Sequence, residues 1–325
     1  MIITQTPLRI SFLGGGTDFP EFYQKAGGAV VSTAINKFVY VIVKERFDDL
    51  IVVNYSQRET VSCVADLKHE LAREAMRLTG VEKGIEITTL ADVPSSGTGL
   101  GSSSTVTVGL LQALHAYRGI IVTAEDLAGQ ACEIELNRCA KPMGKQDQYI
   151  AAYGGLRLIE FPADAKAWVS NVLIPEIALQ ELNRRLMLFF TNLTRSSASV
   201  LTEQRENIGD RHDVLCQLRD MAYAGSKCLA NGDLDALGRL MHEGWELKKK
   251  LASGVSNDVI NAMYDTARKS GALGGKIAGA GGGGFLLLYC PLDKQDHVRE
   301  ALGHLRELPI GLERDGSKVM LNLRH

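Results

Sequence analysis

The segment Asp92-Val93-Pro94-Ser95-Ser96-Gly97-Thr98-Gly99-Leu100-Gly101-Ser102-Ser103-Ser104-Thr105 has the composition of a loop that holds phosphate groups at the start of a helix. Gly97, Gly99 and Gly101 let the backbone turn tightly and approach a ligand with no Cβ in the way. Ser102, Ser103 and Ser104 could cap a helix and donate hydroxyl hydrogen bonds. Val106, Leu110, Ala113, Leu114 and Tyr117 recur at helical spacing and Gly119 is a fitting stop, which predicts the helix itself. Its unpaired N–H groups and positive dipole end would face the loop, and an anion suits that place best. A flexible Gly/Ser linker is the plain alternative, but linkers seldom run straight into an amphipathic helix. A Walker A loop would carry Lys-Ser or Lys-Thr after the last glycine, whereas here three serines follow Gly101. Gly279, Gly281 and Gly284 spell a G-x-G-x-x-G. The run 285–289 after it reads as a buried strand, not as the helix that a dinucleotide site requires.

Phosphoryl transfer also needs a cation, a group to orient or deprotonate the nucleophile, and positive charge on the moving group. A helix expected from Thr123 to Cys139 carries the apolar stripe Leu127, Ala128, Ala131 and Ile134, and Glu135 takes the next place on it. A carboxylate that continues a buried face is costly unless a cation meets it. An arginine at the rim of the core and a Mg²⁺ ion are equally good candidates from the residues alone. Mg²⁺ would take a carboxylate, a hydroxyl, waters and substrate phosphates together. Glu133 points to the other side and is expected to be solvated. Asp147, in Gly144-Lys145-Gln146-Asp147-Gln148, follows a Pro/Gly turn and taken alone reads as a helix cap. Arg9 lies on an expected strand that enters the turn Gly14-Gly15-Gly16-Thr17-Asp18, and such a triplet by itself could be any tight turn.

These residues need a framework, and 325 residues at 45% hydrophobic content allow two domains with a proper core. Strands are expected at 8–13, 30–35, 38–43, 51–55, 85–89 and 156–161, with a helix at 67–78. The loop-like stretch 162–176 suggests a boundary. Beyond it come a strand at 186–190, helices at 214–230, 234–251 and 259–270, a glycine-rich turn, a strand at 285–289 and a helix near 296–305. The pattern is α+β, divided as 1–176 and 177–325. A formal net charge of −2 argues against non-specific nucleic-acid binding, and no Lys/Arg block suggests a membrane patch. No stretch reaches the length of a membrane span. Six cysteines form no C-x-x-C pair and the start lacks the regions of a signal peptide, so a cytoplasmic protein with reduced thiols is expected.

Taken together, the polar segments resemble the motifs of the GHMP small-molecule kinases. Residues 7–18 resemble the first motif, 94–105 the second (the ATP-phosphate loop) and 275–284 the third, and 144–148 match the catalytic aspartate motif. All four occur in family order over most of the chain. The resemblance implies an N-terminal domain of the ribosomal-protein-S5 type, a ferredoxin-like C-terminal domain and an active site in the cleft between them. It implies ATP as phosphate donor, held by Pro94, Gly97, Gly99, Leu100, Gly101, Ser102, Ser103 and Ser104. Ser103 and Glu135 take the places of Mg²⁺ ligands. Asp147 takes that of the group receiving the proton from the attacking hydroxyl, and Arg9 that of its basic neighbour. Gly15, Gly16, Thr17 and Asp18, with Gly281 and Gly282, fall at substrate positions, and Asp18 matches the aspartate that holds sugar hydroxyls in the sugar kinases.

This chain departs from the general pattern where Gly14-Gly15-Gly16 replaces Gly-Glu-His, where Ser104 replaces alanine and where Lys145 replaces an apolar residue. Gly-Gly-Gly-Thr-Asp with Gly-Lys-Gln-Asp-Gln is most similar to the branch that takes bacterial heptose 7-phosphates, near the fucokinase-like sugar kinases. The implied reaction is phosphorylation of the anomeric C1 hydroxyl of D-glycero-D-manno-heptose 7-phosphate to the 1,7-bisphosphate. Lys145 and Arg195 are then candidate anchors for a phosphate, with a solvated surface lysine the plain alternative for Lys145. A kinase for an unphosphorylated fucose- or galactose-like sugar, and a silent sugar-and-ATP sensor on the same fold, are the alternatives. Ser103, Glu135 and Asp147 together argue against the sensor. Whether the chain forms a homodimer is left open.

Overall fold

Alternating and β-branched residues at the start of the chain build a long antiparallel hairpin, in which β1 (Ile2–Leu13) pairs along its length with β2 (Gly28–Glu45). The computed structural model describes residues 1–94, 97–164, 166–194 and 196–323. The sequence pattern suggests two strands where β2 is one. The register slips between Pro7 and Leu8, leaving Asn36 and Lys37 without partners on β1, and this polar interruption imitates a loop.

Around the hairpin an eight-stranded sheet forms. Its main path also holds β3 (Ile51–Asn54), β4 (Arg58–Val61) and β5 (Ile85–Ala91), with β5 beside β2 and β3 parallel to β5. β6 (Leu156–Phe161) pairs with the first half of β2, and β7 (Trp168–Asn171) pairs with β6, so the expected loop at 162–176 contains a strand. A second, antiparallel sheet places β8 (Leu186–Phe190) next to β10 (Phe285–Tyr289), flanked by β9 (Gly274–Ile277) and β11 (Arg306–Glu307). The last strand, β12 (Lys318–Asn322), returns to the first sheet and pairs with β1. We propose a division at residue 176, with β12 as a strand that the second half gives back to the first.

Eleven helices cover these sheets among the described residues. Short α1 (Pro20–Ala26) follows the first glycine turn, and α2 (Glu70–Thr79) packs on α3 (Ser102–Arg118), which lies against β1 and β2. Next come α4 (Ala124–Cys132) and α5 (Gln146–Tyr153), which pack on each other and on α3. In the second half lie α6 (Glu176–Arg185), α7 (Ser197–Glu206), α8 (His212–Asn231), α9 (Leu234–Lys248), α10 (Asp258–Lys269) and α11 (Gln295–Ala301). Helix α8 packs on β1 and β2, and α9 on β9 and β1. One apolar cluster therefore runs through both halves, from Leu8, Val41 and Leu114 to Leu229, Leu237 and Leu287. No helix among the described residues is long and apolar enough to cross a membrane.

Candidate active site

The glycine–serine segment forms a loop that ends in α3. Gly101, with φ 79° and ψ 19°, is the N-cap, a left-handed conformation that glycine adopts without a Cβ penalty. The serines do not cap the helix as expected. They make its first turn, whose N–H groups have no intrahelical partners. Gly97, Thr98, Gly99, Gly101, Ser102 and Ser103 line a cavity of about 800 Å³, whereas Leu100 and Ser104 are fully buried and Pro94 is exposed away from it. Opposite lie Ala278, Gly279, Ala280, Gly281 and Gly283 from the second half. The two loops press backbone to backbone: a Cβ on Gly99 would stand 2.3 Å from the Ala278 oxygen.

Glu135 sits on a π-helical stretch, Glu133–Arg138, that continues α4. It is fully buried. Ser103 Oγ donates to its Oε1 (2.5 Å) and Gln148 Nε2 to its Oε2 (2.7 Å). The cation that meets it is a lysine rather than an arginine: Lys141 Nζ lies 3.7 Å from Glu135 Oε1, 2.9 Å from Ser103 Oγ and 3.2 Å from Glu70 Oε1. Burial raises the Glu135 pKa, and Lys141 and the hydroxyl and amide donors oppose that rise. Ser104 Oγ lies close enough to favour the carboxylate but makes no hydrogen bond of good geometry. A hydroxyl and a carboxylate oxygen in contact at the end of a phosphate loop, already drawing a cation, fit the hard-donor preference of Mg²⁺. No group of three or more His, Cys, Asp or Glu side chains suited to a metal occurs among the described residues, so phosphate oxygens and water would have to complete its shell.

Asp147 lies in the first turn of α5 and does not cap it. Both its oxygens accept from the Arg9 fork, from Nε and Nη2 at 2.7 Å each, while Arg9 Nη1 donates to the Gly99 carbonyl. One nearly buried side chain thus ties β1, α5 and the glycine loop together. The carboxylate that serves the start of α5 is Asp18, which is buried and accepts from Gln146 N (3.1 Å), Gln146 Nε2 (3.2 Å) and Gly16 N (3.1 Å). Burial raises its pKa, and the backbone donors pull against that. A Cβ on Gly144 would fall 2.0 Å from Asp18 Oδ2, which explains the glycine there.

Three of the expected substrate residues have polar groups engaged with other parts of the chain. Thr17 is buried, and its hydroxyl is engaged with the Gly14 and Ala29 backbone, so it shapes the turn. Gly282 gives its N–H to the Val255 carbonyl. The Lys145 ammonium lies 5.1 Å over the Tyr23 ring and borders a separate opening of about 330 Å³ with Pro20, Cys132 and Tyr149. Arg195 lies outside the described residues.

Two lysines that sequence reasoning passed over stand beside Asp18 and Arg9. Lys248, at the end of α9, is 6% exposed and donates to the Gly279 carbonyl (2.6 Å), and Lys276 on β9 is 5% exposed. The signal for Lys248 was available, because it extends the buried stripe Leu237, Met241 and Trp245 by one turn. Burial lowers its pKa to about 8, with Asp18 opposing and Arg9 assisting. Between that value and the ordinary 10.5, the unfolded chain binds a proton that the folded chain does not. Stability should therefore gain from Lys248 as pH rises through this window. Lys276, also lowered by burial, contributes with the same sign. Denaturant titrations across that range should show a shallower rise in Lys248→Met than in the parent protein. An identical slope would mean that Lys248 keeps its charge when folded.

Comparison with known proteins identifies the family. The GHMP kinases N terminal domain matches residues 60–155, and the GHMP kinases C terminal model matches residues 226–306. The chain is 30% identical over 315 residues to a D-glycero-alpha-D-manno-heptose 7-phosphate kinase of Campylobacter jejuni, covering 93% of each. It is 26% identical over 335 residues to a bifunctional fucokinase/GDP-fucose pyrophosphorylase of Arabidopsis thaliana, covering 94% of this chain and 31% of that one. The crystal structure of a D-glycero-D-manno-heptose 1-phosphate kinase from Bacteroides thetaiotaomicron has the same fold, with a TM-score of 0.83 and 24% identity over the whole of both chains. Matches to both halves, and a relative this similar along nearly all its length, establish that the chain belongs to the GHMP kinases.

Proposed function

We propose that this kinase transfers the γ-phosphoryl group of ATP to the anomeric C1 hydroxyl of D-glycero-D-manno-heptose 7-phosphate, giving the 1,7-bisphosphate and ADP. The observation that carries the reading is the Arg9–Asp147 fork, which places a carboxylate and its counter-charge against the glycine loop on the wall of the cavity. The first-turn N–H groups of α3 and the loop from Gly97 to Ser103 would receive the nucleotide's phosphates. Ser103 and Glu135 would hold Mg²⁺, which supplies positive charge between the outer phosphates when bound. Asp147 would orient the C1 hydroxyl and take its proton as the new O–P bond forms and the bond to ADP breaks. Arg9 keeps the carboxylate aimed and balances its charge. Such an in-line transfer needs mainly positioning and electrostatics.

The name of the Campylobacter relative, at 30% identity, supports a heptose 7-phosphate as acceptor. The Arabidopsis relative favours the second reading, an unphosphorylated fucose-like sugar. Six free thiols fit a reducing compartment, and we place the enzyme in the cytoplasm.

Melting curves test the nucleotide assignment, since a ligand that binds only the folded state raises the midpoint. ATP or a close analogue with Mg²⁺ should raise it and NAD should not. A shift with NAD and none with ATP would rule out phosphoryl transfer from ATP. ADP release across a panel of heptose 7-phosphate, free heptose, fucose and galactose then ranks the acceptors.

A further inference from the structure

The triplet Gly14-Gly15-Gly16 contains two glycines that need their backbone and one that does not. Gly14 and Gly16 have φ of 85° and 104°, whereas Gly15 lies outside the left-handed region and could be any residue. What distinguishes Gly15 is the space above it. The three atoms that a Cβ there would meet first outside the turn are all nitrogens: Lys248 Nζ at 3.5 Å, Gln146 Nε2 at 3.8 Å and Lys276 Nζ at 3.8 Å. Donors from α9, α5 and β9 converge on a volume that the chain leaves unfilled.

Charge at this place is out of balance. Arg9 and Asp147 close on each other, which leaves two buried lysines beside one other carboxylate, that of Asp18. Asp18 is already engaged with Gln146 and Gly16. The Lys276 backbone belongs to the β9–β10 ladder, and its side chain makes no hydrogen bond or ion pair with any described residue. A buried cation without a partner is costly, and burial pushes both lysines below their ordinary pKa. An anion between them would restore the balance. Neither lysine lines the cavity of the glycine–serine loop; Lys248 reaches its wall from behind, through the Gly279 carbonyl.

We propose that Lys248, Lys276 and the vacant place above Gly15 form the subsite for the phosphate that the acceptor already carries. Assigning that anion to a sugar phosphate rests on the function proposed above. The phosphate bound in this subsite does not react. It anchors the far end of the sugar while C1 faces Asp147, and it explains a glycine where the chain has no conformational need of one.

The test uses Lys276→Met and Gly15→Glu, the second of which fills the space and offers the lysines a carboxylate. ADP release at saturating MgATP should show kcat/KM for D-glycero-D-manno-heptose 7-phosphate falling about 10- to 100-fold in each variant, through KM, as loss of a charge-assisted anchor implies. The value for free heptose should fall much less than that for the 7-phosphate, and the KM for ATP should stay close to that of the parent. Equal losses for both sugars, or a raised KM for ATP, would overturn the subsite and assign the lysines to the transferred phosphoryl group. Titration with inorganic phosphate, with the nucleotide site filled by a non-hydrolysable ATP analogue, separates this inference from the choice of acceptor. Phosphate binding that weakens about tenfold or more in both variants sustains the subsite even if the heptose 7-phosphate is not turned over. Equal phosphate affinity in parent and variants overturns it, whatever sugar is used. Should Lys276→Met fail to fold, Gly15→Glu gives the same readings with both lysines in place.

Discussion

Replacing Asp147 with asparagine is expected to lower kcat by about 10²–10⁴-fold, the usual contribution of a general base. The affinity for ATP should change little, because the role proposed for the carboxylate is on the acceptor hydroxyl. Asparagine keeps the shape and one acceptor oxygen, yet it cannot take a proton, and its amide would meet the Arg9 fork donor to donor. Arg9 is 4% exposed and would lose its counter-charge, keeping the Gly99 carbonyl as acceptor. A drop in stability should therefore accompany the loss of rate, since breaking a buried ion pair from one side leaves the other charge unpaired. Steady-state ADP release and a denaturant titration on the same preparation separate the two effects. A folded variant with normal turnover and reduced stability would make Asp147 merely the partner of Arg9.

Glu135→Gln carries the second large effect. The Mg²⁺ concentration needed for half-maximal rate should rise about 10- to 100-fold or more, at least the loss seen when a group that supports a metal ligand is removed. The substitution is nearly isosteric, and Ser103 can still donate to the remaining carbonyl oxygen. Folding should survive, because the removed charge is one that burial already penalises, while Lys141 keeps its contact with Glu70. Rates against free Mg²⁺ at saturating ATP and acceptor measure this directly. If the metal dependence is unchanged and only stability falls, Glu135 is a structural counter-charge for Lys141.

The parts of the site visible in the sequence were those that broke a local pattern. Glu135 interrupts an apolar stripe, and the glycines of the phosphate loop have a composition that few other structures require. The Arg9–Asp147 fork joins residues 138 positions apart, and no periodicity encodes such a contact. Only the resemblance between motifs brought those two together. Lys248 was hidden in the run Lys248-Lys249-Lys250, which looks like a solvated helix end, although its helical phase puts it on the buried face. Lys276 was hidden among glycines that suggest a turn, whereas Gly274–Ile277 is a buried strand held by β10. The strands β4, β7 and β11, of two to four residues, are too short to show a period, and β12 is defined by its distant partner β1. The Lys145 ammonium lies over the Tyr23 ring, because proximity in sequence does not fix the direction of a long side chain.

Phosphorus NMR of the reaction mixture tests the central claim most directly. With D-glycero-D-manno-heptose 7-phosphate and MgATP, a new resonance coupled to the anomeric proton should grow in step with ADP, while the original 7-phosphate signal is retained in the same product. No anomeric phosphate from that acceptor, together with brisk formation of a 1-phosphate from free fucose or galactose, would contradict the assignment.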